Sequence, residues 1–213
     1  MEGVYLVTDQ ASCKYYSLEV IVTKALQAGV SCVQLREKNL DTRTFLARAL
    51  GLKAILKPAG VPFIINDRVD IALAAGADGV HIGQKDMPYE LARKLMGPDA
   101  LIGLSVETCE DVIAAQDLEL DYIGVSPVFA TPTKTNTKAP WELAGLSRIK
   151  AYSRHPLVAI GGLNAINMGP AILAGADSIA VVSAICAARD PFESALTLCT
   201  HFKQKKPLQE TSP

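Results

Sequence analysis

The chain has 213 residues, 49% of them hydrophobic and 20% charged, which is a globular rather than a disordered composition. A formal net charge of −1 and a pI of about 6.3 leave no global basic field to recruit nucleic acid. No apolar run reaches the ~20 residues needed to span a bilayer, and Met1-Glu2-Gly3 lacks the basic region and apolar stretch of a signal peptide. The five cysteines (Cys13, Cys32, Cys109, Cys186 and Cys199) show neither CxxC pairing nor metal-ligand spacing. Free thiols scattered in this way suit a reducing cytosol, so a soluble cytoplasmic protein is expected.

Along the chain one unit keeps returning. Val4 to Thr8 reads as a strand and Leu18 to Ala28 as a helix ended by Gly29; Ser31 to Leu35 is a strand and Asp41 to Leu56 a helix. Pro62 to Ile65 (strand), Val69 to Ala75 (helix), Gly79 to Ile82 (strand) and Pro88 to Met96 (helix) continue the alternation. Leu101 to Val106 is extended, and Glu107 to Gln116 is helical with a threonine and acids in its first turn. Tyr122 to Val128 is a short β-branched run of the kind that makes a buried strand, followed by a helix from Trp141 to Tyr152. Leu157 to Ile160, Ala165 to Leu173, Ser178 to Val182 and Phe192 to Phe202 complete eight strand–helix units.

A helix–strand junction recurs at 25–31, 72–78 and 171–177, each with alanines before a glycine. The glycine supplies the φ > 0 of a helix C-cap, and the alanines let the helix lie close on the strands. The junctions fall near two and four multiples of ~25 residues, as a compact barrel requires. Uniformly apolar strands indicate parallel strands buried on both faces. A doubly wound open sheet usually has fewer units and a glycine-rich first turn, absent here. The expected fold is therefore α/β, a single-domain (β/α)8 TIM barrel over residues 1–202, with a polar, frayed tail at 203–213.

In such a barrel the active groups sit at the C-terminal ends of the strands. After the second strand, alternation puts Gln34, Arg36 and Lys38 on one side, an amide and two cations converging on the barrel mouth, while Glu37 and Lys38 also read as solvated loop charges. Asn66-Asp67 follows the third strand and Asp86 the fourth. Asp67 and Asp86 are either helix N-caps or a carboxylate pair able to share Mg²⁺, which takes one or two carboxylates and completes its shell with water and phosphate oxygens. His81 reads as a packed or hydrogen-bonded barrel residue rather than a ligand. Ser105 either caps the helix beginning at Glu107 or donates to a phosphate. Gly161-Gly162 and Ser183 fall where barrels bind phosphate on backbone amides and a helix N-terminus.

The stretch after Val128 is Thr131-Pro132-Thr133-Lys134-Thr135-Asn136-Thr137, with a second lysine at Lys138. It is either an ordinary polar turn or a loop of hydroxyls and ammonium suited to phosphate or pyrophosphate. No Ser–His–Asp or Cys–His arrangement is defensible as a nucleophile; His155 precedes the seventh strand, at the wrong end of the barrel. Two anion sites without a covalent nucleophile suggest transfer between two phosphorylated small molecules, with catalysis by positioning and charge stabilisation.

QLREK (34–38), INDRVDIALAAGADGVHIGQKD (65–86), GLSVE (103–107), TPTKTNT (131–137), IGG (160–162) and VVSAI (181–185) together closely resemble the thiamine-phosphate synthase family, in order from about Val4 to Pro191. The resemblance implies a transferase that joins a pyrimidinylmethyl diphosphate to a thiazole phosphate. Pyrophosphate leaves first, and the thiazole nitrogen attacks the resulting cation. It implies that Gln34, Arg36, Lys38 and Asn66 contact the pyrimidine diphosphate, and that Asp67 and Asp86 hold Mg²⁺. Ser105 and Lys134 would bind the departing pyrophosphate, with Arg36, Ser105 and Lys134 the catalytic set. Thr131 and Thr133 would bind the thiazole phosphate beside Gly162, Val182 and Ser183.

Two positions depart from the family pattern: Asn136 stands where an aspartate is usual, and Glu107 where a histidine often follows. A thiazole tautomerase-like isomerase needs neither a second substrate nor magnesium, and a non-catalytic phosphate-binding regulator needs no metal-activated leaving group. The intact Asn66-Asp67, Asp86 and Thr-Pro-Thr-Lys set counts against both. A homodimer is the default assembly, with no nucleic-acid or membrane partner.

Overall fold

In the computed structural model, which describes residues 2–131 and 138–205, eight parallel strands close into one barrel in chain order. The strands are β1 (Gly3–Val7), β2 (Cys32–Leu35), β3 (Phe63–Asn66), β4 (Gly79–Ile82), β5 (Leu101–Val106), β6 (Tyr122–Val125), β7 (Leu157–Ile160) and β8 (Ser178–Val181). Between and after them run α1 (Leu18–Gln27), α2 (Thr42–Leu56), α3 (Val69–Ala75), α4 (Tyr89–Met96), α5 (Cys109–Ala115), α6 (Glu142–Tyr152), α7 (Met168–Leu173), α8 (Ser183–Cys186) and α9 (Pro191–Lys205). Closure is made by β1 on β8, with Gly3 opposite Ser178 and Leu6 opposite Val181. This is the (β/α)8 barrel expected from the sequence.

The apolar strands fill two cores, because each strand is buried on both faces. Outward residues such as Leu6, Val33, Ile65, Val80 and Ile123 pack under the helices, with Phe45, Leu52 and Leu146 among the helical residues in the same core. Inward residues Tyr5, Val7, Cys32, Ile64, Tyr122, Val158 and Ala180 fill the barrel interior. Two glycines make room there for large rings. A Cβ on Gly103 would lie 2.1 Å from Cζ of Tyr122, and one on Gly124 would lie 2.9 Å from Cε1 of His81.

The recurring junctions have a second role at the N-terminal rim. Asp78 Oδ2 accepts from the Phe63 amide at 2.8 Å while Oδ1 meets Lys53 of α2 at 2.8 Å. Asp121 accepts from Ile102 N at 2.8 Å and meets Arg93 of α4 at 3.2 Å. Asp177 accepts from Leu157 N at 2.8 Å and meets Lys150 of α6 at 2.7 Å. Each aspartate therefore fastens the first or second amide of one strand to the start of the next and to the helix before the pair. Ser31 makes the lighter version, donating to the Val4 carbonyl at 3.1 Å.

Several boundaries differ from the sequence expectation. β6 stops at Val125 because Pro127 has no N–H to give the ladder. α5 starts at Cys109 rather than Glu107: a capping box pairs Thr108 Oγ1 with Asp111 N, while Asp111 Oδ2 takes the Glu107 and Thr108 amides. α9 runs to Lys205, past the Phe202 boundary, because Lys203, Gln204 and Lys205 are good helix formers and the cations suit a helix C-terminus. The short helix α8 was not expected. Of the tail assigned to 203–213, residues 206–213 lie outside the described residues.

Candidate active site

The C-terminal ends of the strands open into a cavity of about 920 Å³. Gln34, Arg36, Lys38, Asn66, Asp67, Asp86, Ser105, Thr131, Gly162, Val182 and Ser183 all line it. Thr133 and Lys134 lie outside the described residues.

Alternation at the end of β2 works as the pleat requires. Gln34 donates from Nε2 to the Tyr5 phenol at 2.8 Å, the Arg36 guanidinium lies 3.7 Å from Asp9, and Lys38 pairs with Asp67. Glu37 points the other way and pairs with Arg48 of α2, its side chain only 7% exposed. It is thus a structural ion pair rather than the solvated loop charge read from the sequence, and Lys38 is likewise paired.

The carboxylates are not helix caps. α3 begins after Arg68 and α4 after Pro88, neither with a side-chain cap. Asp67 adopts φ +63°, a left-handed conformation that Asp tolerates better than most residues, and turns its carboxylate to Lys38. Asp86 Oδ2 accepts from the Gly83 amide at 2.7 Å, closing the turn after β4. Burial first, and then the facing Asp67 carboxyl, lift the Asp86 carboxyl above the ordinary range, opposed by the Gly83 N–H and by Lys38. Two carboxylates pressed together in this way form an anionic point that a cation would relieve. Next to them, Asn66 Nδ2 is buried without a hydrogen-bond partner.

Ser105 does not cap α5. Its Oγ lies 2.8 Å from His81 Nε2, while His81 Nδ1 lies 3.0 Å from the Tyr122 hydroxyl. The Tyr122 and Tyr5 hydroxyls are 3.0 Å apart. Burial, first among the causes, raises both phenols well above their ordinary value, so both stay protonated. The sequence identified His81 as a hydrogen-bonded barrel residue. It missed Tyr5 and Tyr122; the signal for Tyr122 was Gly103, whose missing Cβ makes space for its ring.

Across the same mouth, after β7, Gly161 and Gly162 have φ +102° and +65°. A Cβ on Gly162 would stand 2.6 Å from the Ala130 carbonyl oxygen and 2.9 Å from Phe129 Cβ, so only glycine fits against that segment. Val128 N donates to the Ile160 carbonyl at 2.9 Å and Phe129 N to the Gly161 carbonyl at 3.1 Å, which ties the root of the threonine loop to the β7 end. Among the described residues, no cluster of three or more His, Cys, Asp or Glu side chains could hold a metal, and no helix is long and apolar enough to cross a membrane.

The family model for thiamine monophosphate synthase matches residues 4–185. A thiamine-phosphate synthase of Albidiferax ferrireducens is 56% identical over 195 residues, covering 92% of this chain and 89% of the relative. One from Leptospira biflexa is 53% identical over 206 residues, covering 95% and 98%. The solved thiamine phosphate pyrophosphorylase of Pyrococcus furiosus superposes with a TM-score of 0.86 at 33% identity, over 95% of this chain and 96% of that one. The chain belongs to the thiamine monophosphate synthase family.

Proposed function

We propose that the cavity joins 4-amino-2-methyl-5-pyrimidinylmethyl diphosphate to 4-methyl-5-(2-phosphoethyl)thiazole. The bond between the pyrimidine methylene and its diphosphate oxygen breaks, both electrons leave with pyrophosphate, and the thiazole nitrogen forms the new carbon–nitrogen bond of thiamine phosphate. The observation that carries this reading is the Asp67–Asp86 pair beside Lys38, Arg36 and the unpartnered Asn66 amide, in the same cavity as the glycine rim of β7. A volume of about 920 Å³ leaves room for two small substrates.

In this reading Gln34 and Asn66 orient the pyrimidine diphosphate, with Arg36 and Lys38 matching its charge. Ser105 and Lys134 meet the charge that grows on the leaving oxygen. Thr131, Thr133, Gly162, Val182 and Ser183 seat the thiazole phosphate. Asp67 and Asp86 would hold Mg²⁺: two carboxylates, with no third acidic or imidazole ligand among the described residues, suit an ion that keeps sites for water and phosphate oxygens. When bound, Mg²⁺ supplies charge neutralisation on the diphosphate. The residues do the rest by positioning, since no nucleophile has to be activated. We assign the protein to the cytoplasm, acting on two phosphorylated small molecules without nucleic acid, with a homodimer as the default; all five cysteines are free.

The test is pyrophosphate release from purified protein given both precursors, with Mg²⁺ and with chelator. Release that needs both precursors and the metal, with thiamine phosphate formed, is expected. Folded protein that releases none, or that releases pyrophosphate equally well in chelator, would sink the transferase or the metal assignment respectively.

A further inference from the structure

A continuous chain of hydrogen-bonded side chains crosses the barrel floor from β2 to β5: Gln34, Tyr5, Tyr122, His81, Ser105. Its links measure 2.8, 3.0, 3.0 and 2.8 Å. Each member has a limited supply of protons, so the direction of the first link fixes all the others. Gln34 Nε2 can only donate, so the Tyr5 oxygen accepts. The Tyr5 proton then goes to the Tyr122 oxygen, since the Cys32 thiol beside it is a weak acceptor. Tyr122 in turn donates to His81 Nδ1. A neutral imidazole accepting at Nδ1 carries its proton on Nε2, and that N–H donates to Ser105 Oγ. The serine's own proton has no place left in the chain except the cavity.

We propose that Tyr122 and His81 are positioning residues: together they hold the Ser105 hydroxyl as a donor into the cavity. This rests on the reaction proposed above, in which Ser105 meets an anionic leaving group. A serine whose proton was turned toward His81 would present only lone pairs to that anion. Turning the Gln34 amide over would reverse every link and place the proton of His81 on Nδ1. Gln34 and Ser105, three strands apart around the barrel, are therefore the two ends of one proton order.

Two-bond ¹H–¹⁵N correlation spectra of the histidine rings read that order directly. The chain has 3 histidines, and the signal lost in His81→Gln identifies the one in question. The Nε2–H form is expected for the native protein, and a mixture of both tautomers for Tyr122→Phe. Tyr122→Phe should lower turnover about 10- to 100-fold, the scale of one hydrogen bond to a charged group, with KM changed far less. In a Ser105→Ala background the same substitution should do almost nothing more. His81→Gln, whose amide keeps a donor near Nε2, should retain more turnover than His81→Leu.

A native Nδ1–H tautomer overturns the proposal, as do Tyr122→Phe and Ser105→Ala effects that simply multiply. Native protein with the Nε2–H form, scrambled by Tyr122→Phe, but with no pyrophosphate release would uphold the proton order and overturn the reaction instead.

Discussion

Gly103 is where stability and chemistry meet, and Gly103→Ala tests both. The new methyl carbon would stand 2.1 Å from Tyr122 Cζ and 2.5 Å from its hydroxyl oxygen, against the roughly 3.5–4.0 Å of ordinary carbon contact. The ring has to give way by more than an ångström, yet Tyr122 is fully buried in the packed barrel interior. Overpacking of this kind costs about 1–3 kcal/mol. The same displacement breaks the 3.0 Å links from Tyr122 to Tyr5 and to His81, each worth about 0.5–1.5 kcal/mol. A loss of about 2–6 kcal/mol follows, and a Tm lower by about 4–24 °C for a chain of this size. Thermal and urea unfolding measure the first consequence, and turnover of the still-folded fraction the second. Native unfolding midpoints and native turnover in Gly103→Ala would refute the claim that the Tyr122 ring rests on that glycine.

Asn66→Ala should separate binding from folding. Its Nδ2 has no partner to lose in the unliganded protein, so the unfolding midpoint should barely move, while KM for the diphosphate substrate rises about tenfold or more. Asp67→Asn should keep the left-handed backbone, which Asn also tolerates, and lower the Asp86 carboxyl pKa by removing the facing charge; carboxyl ¹³C titration of metal-free protein reads this. Because the Asp86 pKa is raised on folding, its protonated form favours the native state at low pH. That contribution is lost as pH rises through the folded pKa, so in the metal-free protein Asp67→Asn should flatten this part of the stability profile. Lys134→Ala should lose far more turnover than folding stability, since its ammonium is assigned to charge that appears only as the bond breaks. Native turnover in that variant would remove the lysine from the mechanism.

The barrel was legible because burial on both faces leaves strands without alternation, and because glycine-ended helices recur before them. Arg36, Asp67, Asp86 and Ser105 were legible because residues just beyond strand ends share one mouth, whatever lies between them in sequence. The tyrosine–histidine chain was less so. Tyr5 and Tyr122 sit inside apolar strands and look like core aromatics until register turns them inward together. The start of α5 was misplaced because Thr108 and Asp111 form a capping box two residues later than the acids suggested. Ser105 and Asp67 each had a capping alternative that only coordinates could remove, since cap and ligand use the same side-chain chemistry.

The aspartate fasteners of the N-terminal rim also bear on how the chain folds. Asp78 reaches back 15 residues to Phe63, Asp121 reaches 19 to Ile102, and Asp177 reaches 20 to Leu157. Loops that short close at little entropic cost, so β3–β4, β5–β6 and β7–β8 can each be stitched before the rest of the wall exists. The seam between β1 and β8 is the opposite case, with the Ser178 hydroxyl meeting the Gly3 carbonyl across 175 positions of chain. Contact order therefore predicts that the locally sealed pairs form before that long-range seam closes.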